Sequence, residues 1–310
     1  MMKEIIKNYG PLFEFWWDGA NGEGPNGKKQ VYDWTKFKQT LREGSPGTVV
    51  FSDIGPDIRW VGNENGFAGD PNWNLLDTAG FTPGIGAPSP DTLNHGNVNG
   101  NNWMPAECDV SIRPGWFYHQ EEDEKVKPPE QLFGLYLRSV GRGASLLLNV
   151  PPDRRGLINE HDSAALMGFK RLRDRSFLKP LASKSFPMTS STEYSVGLGS
   201  ATTVNCIVIK EPIQLGQRVK KFSIQLEKDP HLPFNGGRRV QDQDRRCENP
   251  AIDKRKRGLP DRRRFDRKIK RIRLLHHNRA CSISCPIVRH IPFLRDPGGH
   301  GYRDGNSYRV

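Results

Sequence analysis

Apolar positions in the first two thirds of the chain form short runs whose spacing alternates between strand-like and helix-like. Leu12 to Trp17 is a compact apolar and aromatic run that ends in Asp18-Gly19, which reads as a strand followed by a Gly/Asn-rich loop. Trp34, Phe37 and Leu41 then recur at helical spacing behind Asp33, a suitable N-cap, and Gly44-Ser45-Pro46 closes the segment. Thr48 to Asp53 is a short buried strand. The stretch from Gly55 to Pro105 is rich in Gly, Asn, Pro and Trp with little periodicity, and a loop of that length inside a domain is more often functional than idle. Asp109 to Ile112 reads as a strand. Pro128-Pro129-Glu130 opens a helix that runs through Leu132, Leu135, Tyr136 and Val140 to Gly141. Ala144 to Val150 is a buried strand stopped by Pro151-Pro152. Asn159 can cap a further helix whose Ala164, Leu166, Phe169 and Leu172 would form the buried face.

Strands and helices in alternation predict an α/β architecture on a parallel sheet. From about Tyr194 the pattern changes to short β-type runs, Thr203 to Ile209 and Lys221 to Leu226, the start of an all-β module. After Asp229 it becomes Arg-rich blocks without sustained period, mixed with Pro, Gly and His. The expected division is therefore 1–180, 181–228 and 229–310, the last a basic, disordered tail.

Charge sharpens that boundary. The net charge is +12, but from Asp229 onward 21 Lys+Arg stand against 9 Asp+Glu, while the preceding residues balance at 26 and 26. The excess belongs to the tail alone, so a basic composition says nothing about the body. The coincident change in composition, charge and period suggests an out-of-frame or misjoined reading after about residue 228. The alternative, an authentic tail that binds nucleic acid or another polyanion, has few aromatics and no known binding module to support it. Five cysteines form no paired framework, and Cys281-Ser-Ile-Ser-Cys285 lacks the spacing of a zinc site. Neither a signal peptide nor an apolar run of membrane-spanning length is visible.

The candidate chemistry lies in carboxylates that follow strands. A carboxylate at the C-terminal end of a parallel barrel strand projects into the mouth where such barrels keep their sites, and Asp18 would occupy that position. Trp16 and Trp17 alternate sides, so one ring can share a pocket with Asp18. An Asp-Gly pair after a strand is also an ordinary turn. Glu64, in Arg59-Trp60-Val61-Gly62-Asn63-Glu64, follows the next strand among Gly, Asn and Trp and is the first choice for a second acid; Glu107 is its rival. Glu121 to Glu124 reads as a solvated acidic patch.

Taken together, Tyr9-Gly10, Phe15-Trp16-Trp17-Asp18-Gly19-Ala20, Phe51-Ser52-Asp53, Gly55 to Trp60, Gly62-Asn63-Glu64 and Arg113-Pro114-Gly115-Trp116-Phe117-Tyr118-His119 resemble family 29 α-L-fucosidases. The likeness is to the branch of plant and bacterial enzymes acting on α-1,3/4-linked fucose, and it covers roughly residues 5 to 228. Leu146 to Gly156 is similar to the family's last barrel strand. The resemblance implies the C-terminal half of a (β/α)8 TIM-type barrel, entered at a middle strand, then an incomplete β-sandwich. It implies retaining hydrolysis of terminal α-linked L-fucose from glycans or glycoconjugates, with Asp18 as nucleophile and Glu64 as acid/base. Arg59, Trp60, Arg113, Trp116 and His119 would contact substrate, Trp16 would face the C5 methyl of fucose, and Trp103 is a candidate for an aglycone sugar. No metal or organic cofactor is implied, since two carboxylates suffice. Family members suggest a secreted, periplasmic or lysosomal address. The competing class is a carbohydrate-binding relative without turnover.

Overall fold

Five parallel strands carry the candidate residues or the loops that hold them: β1 (Glu14–Trp16), β2 (Val49–Ser52), β3 (Ile58–Trp60), β6 (Ala106–Ser111) and β7 (Ser145–Asn149), in the order β1-β2-β3-β6-β7. The computed structural model describes residues 1–19, 27–28, 31–83, 86–186, 193–204, 206–211, 222–228, 268–276 and 283–288. Helices α2 (Trp34–Gly44), α4 (Pro129–Arg138) and α5 (Glu160–Phe177) form where the apolar spacing predicts them. Asp33 caps α2 by accepting from the Lys36 N–H at 3.0 Å, and Asn159 caps α5 by accepting from the His161 N–H at 2.9 Å. A further helix, α1 (Met2–Tyr9), packs its Ile6 against α2 at Gly44.

Side-chain alternation separates the two faces of the sheet. Phe15 and Trp17 leave one face of β1 and pack with Leu41, Val50, Trp34 and Phe37, whereas Trp16 leaves the other and meets Phe51, with ring centroids 5.1 Å apart. Full burial of side chains such as Leu41 and Val50 contributes ~1.5–3 kcal/mol each, so this outer layer does more to hold the three-residue β1 than its few ladder bonds. The same parity puts Ala106, Cys108 and Val110 outward and Glu107, Asp109 and Ser111 inward on β6. Val110 packs with Ile112, Leu132, Leu135 and Ala165 of the helix layer.

The sheet is curled. Flat strands lie ~4.8 Å apart, which would separate β1 from β6 by about three spacings. Yet the Glu107 carboxyl shares a hydrogen bond with Glu14, and the rings of Trp16 and Trp116 are 6.5 Å apart, edge to face. Only a concave wall brings these groups together, as expected of part of a TIM-type barrel.

Several expectations change in detail. The long stretch from Gly55 to Pro105 contains β3, β4 (Leu75–Leu76), α3 (Pro90–His95) and β5 (Asn102–Trp103), the last two strands forming a small antiparallel pair. Leu166 and Phe169 are half-buried and pack against the core as expected, whereas Ala164 is exposed, and the fully buried positions of α5 are Asp162, Ala165, Gly168 and Ser176. The helix runs close to Pro129 there: a Cβ on Gly168 would lie 2.4 Å from its Cγ. β7 is half-buried, because it is an edge strand whose inner face is open.

The largest correction concerns the tail. Antiparallel strands β8 (Ala182–Phe186), β9 (Glu193–Thr203), β10 (Cys206–Ile207) and β11 (Phe222–Lys228) are joined by β12 (Lys268–His276) and β13 (Ile283–Val288) in two sheets, ordered β10-β13-β8 and β11-β12-β9. The two tail segments thus form the middle strand of each sheet, where disorder was expected. Period 2 fails between Ile269 and Ile272, and the ladder to β9 shifts register between Ile269 and Arg271, so a test for strict alternation passes over this strand. Other tail positions lie outside the described residues. Phe186, Tyr194 and Val196 form this module's buried cluster, and among the described residues no helix is long and apolar enough to cross a membrane.

Candidate active site

Parallel strands deliver their C-terminal ends to one rim, and both Asp18 and Glu64 follow such ends and are exposed. The Trp17 N–H donates to the Phe51 carbonyl at 2.8 Å, which extends the β1 ladder one residue and leaves Asp18 on the same side as Trp16. After β3 the chain turns sharply at Gly62, whose φ is +74 and where a Cβ would lie 2.7 Å from the Pro90 carbonyl oxygen. Asn63 then fixes the loop: its Oδ1 accepts from the Asn65 N–H at 3.0 Å and its Nδ2 donates to the Phe67 carbonyl at 3.2 Å. Glu64 stands at the apex of this turn.

The concave face between these rims is aromatic and acidic. Trp16 packs between Phe51 and Trp116 and remains 40% exposed, so part of its ring is open to a ligand. Asn149, at the end of β7, donates to the Ser111 hydroxyl at 3.0 Å and to the Trp116 carbonyl at 2.9 Å, so it pins the loop that carries Trp116. The Trp60 indole N–H donates to Asp109 Oδ1 at 2.7 Å. Burial raises the Asp109 pKa to about 6 against the opposing Trp60 hydrogen bond, with further upward contributions from the charges of Glu64 and Asp18. The two rim carboxylates thus act on one buried aspartate, which ties the three into a single electrostatic cluster.

Sequence reasoning missed Asp109 and Asn149. A usable signal was present for the first, since Glu107, Asp109 and Ser111 are polar at period 2 while Ala106, Cys108 and Val110 between them are small or apolar.

Two of the expected sugar contacts, Arg59 and Arg113, are buried in the scaffold. Arg59 is fully buried on the outer face, where Nε donates to the Leu93 carbonyl at 2.9 Å and Nη2 to Asn72 Oδ1 at 2.9 Å and the Trp73 carbonyl at 2.8 Å, with Nη1 on the Met104 carbonyl. It clamps the excursion between β3 and β6, and burial without a facing carboxylate lowers its pKa to about 10. Arg113 is also fully buried, paired with Asp162 at 3.0 Å and Asp123 at 2.9 Å. Asp123 is therefore a structural partner and not part of a merely solvated patch. His119 is an exposed residue preceding the 3-10 turn Gln120–Lys125, and its backbone carbonyl accepts from Arg113 at 3.2 Å.

Glu107, the rival acid, lies deeper than Asp109 on the same strand and is 4% exposed. Burial, then the hydrogen bond and charge of Glu14, then Asp109, push its pKa up to about 8. A carboxyl raised in this way binds its proton more tightly folded than unfolded, so its contribution to stability declines as pH rises from the ordinary carboxylate range toward 8. Glu107→Gln is accordingly expected to stabilise the chain at pH 8 by ~2 kcal/mol and by little at pH 4. Thermal unfolding of both proteins across that range reads the difference directly.

Residues 1–171 match the family model described as alpha-L-fucosidase, and the chain belongs to that family of glycoside hydrolases, family 29. It is 36% identical over 259 residues to alpha-L-fucosidase 1 of Arabidopsis thaliana, covering 73% of this chain and 50% of that protein. A putative alpha-L-fucosidase 1 of rice, Oryza sativa subsp. japonica, is 35% identical over 257 residues, 73% of this chain and 48% of the relative. The chain spans about half the length of these curated relatives. Among solved structures, a putative alpha-L-fucosidase from Bacteroides ovatus superposes with a TM-score of 0.70 at 34% identity, over 97% of this chain and 52% of the other. A family 29 glycoside hydrolase from an unknown rumen bacterium gives 0.67 at 32%, over 93% and 50%.

Proposed function

We propose that this chain carries the catalytic carboxylates of a retaining α-L-fucosidase acting on terminal α-linked fucose of glycans. The observation that carries the reading is that Asp18 and Glu64 are both exposed just past the C-terminal ends of parallel strands β1 and β3, on the rim that holds the buried Asp109. In the first step the Asp18 carboxylate attacks the anomeric carbon while Glu64 gives its proton to the departing glycosidic oxygen. In the second Glu64 takes a proton from water, which attacks the same carbon and frees Asp18. Trp16 offers an exposed ring to the C5 methyl face, with Trp116 beside it. Glu64 is preferred over Glu107 because a general acid must reach the leaving oxygen, and Glu107 is enclosed beside Glu14.

Leaving-group dependence tests this assignment. In Glu64→Gln, hydrolysis of an unactivated fucosyl disaccharide should fall by ~10²–10⁴-fold, while a p-nitrophenyl fucoside, whose phenolate leaves without help, loses far less in the first step. Added azide should rescue Glu64→Gln and yield the retained fucosyl azide. Equal losses on both substrates without rescue would remove Glu64 from the role, and this signature in Glu107→Gln would assign it to Glu107. Both edge strands of the parallel sheet pair on one side only among the described residues, so the assays are run on the chain alone and joined to the preceding half of a family barrel.

A further inference from the structure

We propose that Asp109 is a positioning residue of the fucoside site, holding the Trp60 ring by its indole N–H and linking that grip to the charges of Asp18 and Glu64. The inference rests on the fucosidase reading for the word fucoside, but its geometry stands apart from it. Asp109 is 1% exposed, lies on the inner face of β6, and accepts from Trp60 at 2.7 Å across two strands. Trp60 is the last residue of β3, and Glu64 stands at the apex of the turn that follows. The grip on this ring therefore fixes the point from which the Glu64 loop departs. An aromatic ring held by a buried anion cannot rotate freely, which is the property a sugar-stacking or loop-anchoring surface needs.

The groups that face Asp109 set how the grip responds to pH. Trp60 approaches from β3, Glu64 from the turn after it and Asp18 from the end of β1, while Glu107, hydrogen-bonded to Glu14, sits two residues below on the same strand. β7 presents Leu147, which carries no charge, opposite Asp109, and Cys108 points to the outer layer. Apart from the Trp60 N–H, the influences named here are anionic or neutral. Neutralising either rim carboxylate removes repulsion and should make Asp109 ionise at lower pH, tightening its hold on the indole.

The test uses the full chain labelled with ¹⁵N-tryptophan, with the Trp60 indole resonance assigned from Trp60→Phe. That resonance should titrate with a midpoint near 6, and the midpoint should fall in both Asp18→Asn and Glu64→Gln. Asp109→Asn keeps an acceptor without the charge, so the resonance should stay dispersed but no longer titrate there; Asp109→Leu should release it. In turnover, Asp109→Leu should raise KM for the fucoside on the order of 10-fold with a smaller change in kcat, and Asp109→Asn should recover most of that loss. A Trp60 resonance that does not move between pH 4 and 8, or whose midpoint in Asp18→Asn and Glu64→Gln is unchanged from that of the parent chain, overturns the linkage. So does a titration that persists in Asp109→Asn, a variant conservative enough to fold. The fucosidase reading fails separately, if Asp18→Ala keeps full activity while the Trp60 titration behaves as described.

Discussion

Asp18→Ala should abolish hydrolysis of p-nitrophenyl α-L-fucoside, lowering kcat by at least ~10³-fold with the fold intact. Trp16 and Asp18 share the inner side of β1 because Trp17 between them is buried in the outer layer and hydrogen-bonded to Phe51. Asp18 is exposed at the rim, so its removal should not disturb the core. In the proposed mechanism the covalent intermediate forms on this carboxylate, so substrate binding cannot offset its loss. Azide, a small anionic nucleophile, should restore turnover and give the inverted fucosyl azide, opposite to the product of Glu64→Gln. An unchanged rate would remove Asp18 from the mechanism, and unfolding of the variant by circular dichroism would mean that the residue belongs to the scaffold.

Arg59→Met should destabilise the chain by ~4 kcal/mol, because it removes the buried hydrogen bonds that Arg59 donates to the Leu93, Met104 and Trp73 carbonyls and to the Asn72 amide oxygen, at ~1–3 kcal/mol each. For a chain of this size that corresponds to a fall in Tm of about 10 °C. Methionine preserves much of the stem volume, so the loss reads the missing hydrogen bonds more than a cavity. Gly96 belongs to the same clamp: its φ is +66, and a Cβ there would lie 2.1 Å from the Trp73 carbonyl oxygen and 2.9 Å from Arg59 Nη2. A sugar-binding Arg59 would give the opposite pattern, a raised KM with Tm unchanged. Differential scanning calorimetry beside steady-state kinetics separates the two.

These two residues illustrate what the sequence made legible. Asp18 and Glu64 stand out because strand, carboxylate and Gly/Asn turn follow one another locally, and the resemblance to family 29 fixes their order. Arg59 misled because proximity to Trp60 in sequence suggested a shared site. Adjacent strand residues point to opposite faces, so an inward Trp60 requires an outward Arg59. Arg113 failed for another reason: its partners Asp123 and Asp162 lie 10 and 49 residues away, and no local pattern announces such pairs. Asp109 needed the register of β3 against β6 before its contact with Trp60 could be seen. The helices were legible from caps and spacing, except that Ala164 of α5 faces solvent and Ala165 is buried in its place. β12 and β13 were hidden by a register shift and by a composition that reads as disorder.

The most direct test of the central claim is to trap the intermediate. Incubation with 2-deoxy-2-fluoro-α-L-fucosyl fluoride slows the second step more than the first and leaves the sugar on the nucleophile, which peptide mass spectrometry can locate. One fluorofucosyl group per chain is expected, on Asp18 within the tryptic peptide Asn8–Lys28. A label on the peptide that begins at Trp60 and contains Glu64, Glu107 and Asp109, or a folded protein that hydrolyses fucosides yet accumulates no label, would contradict it.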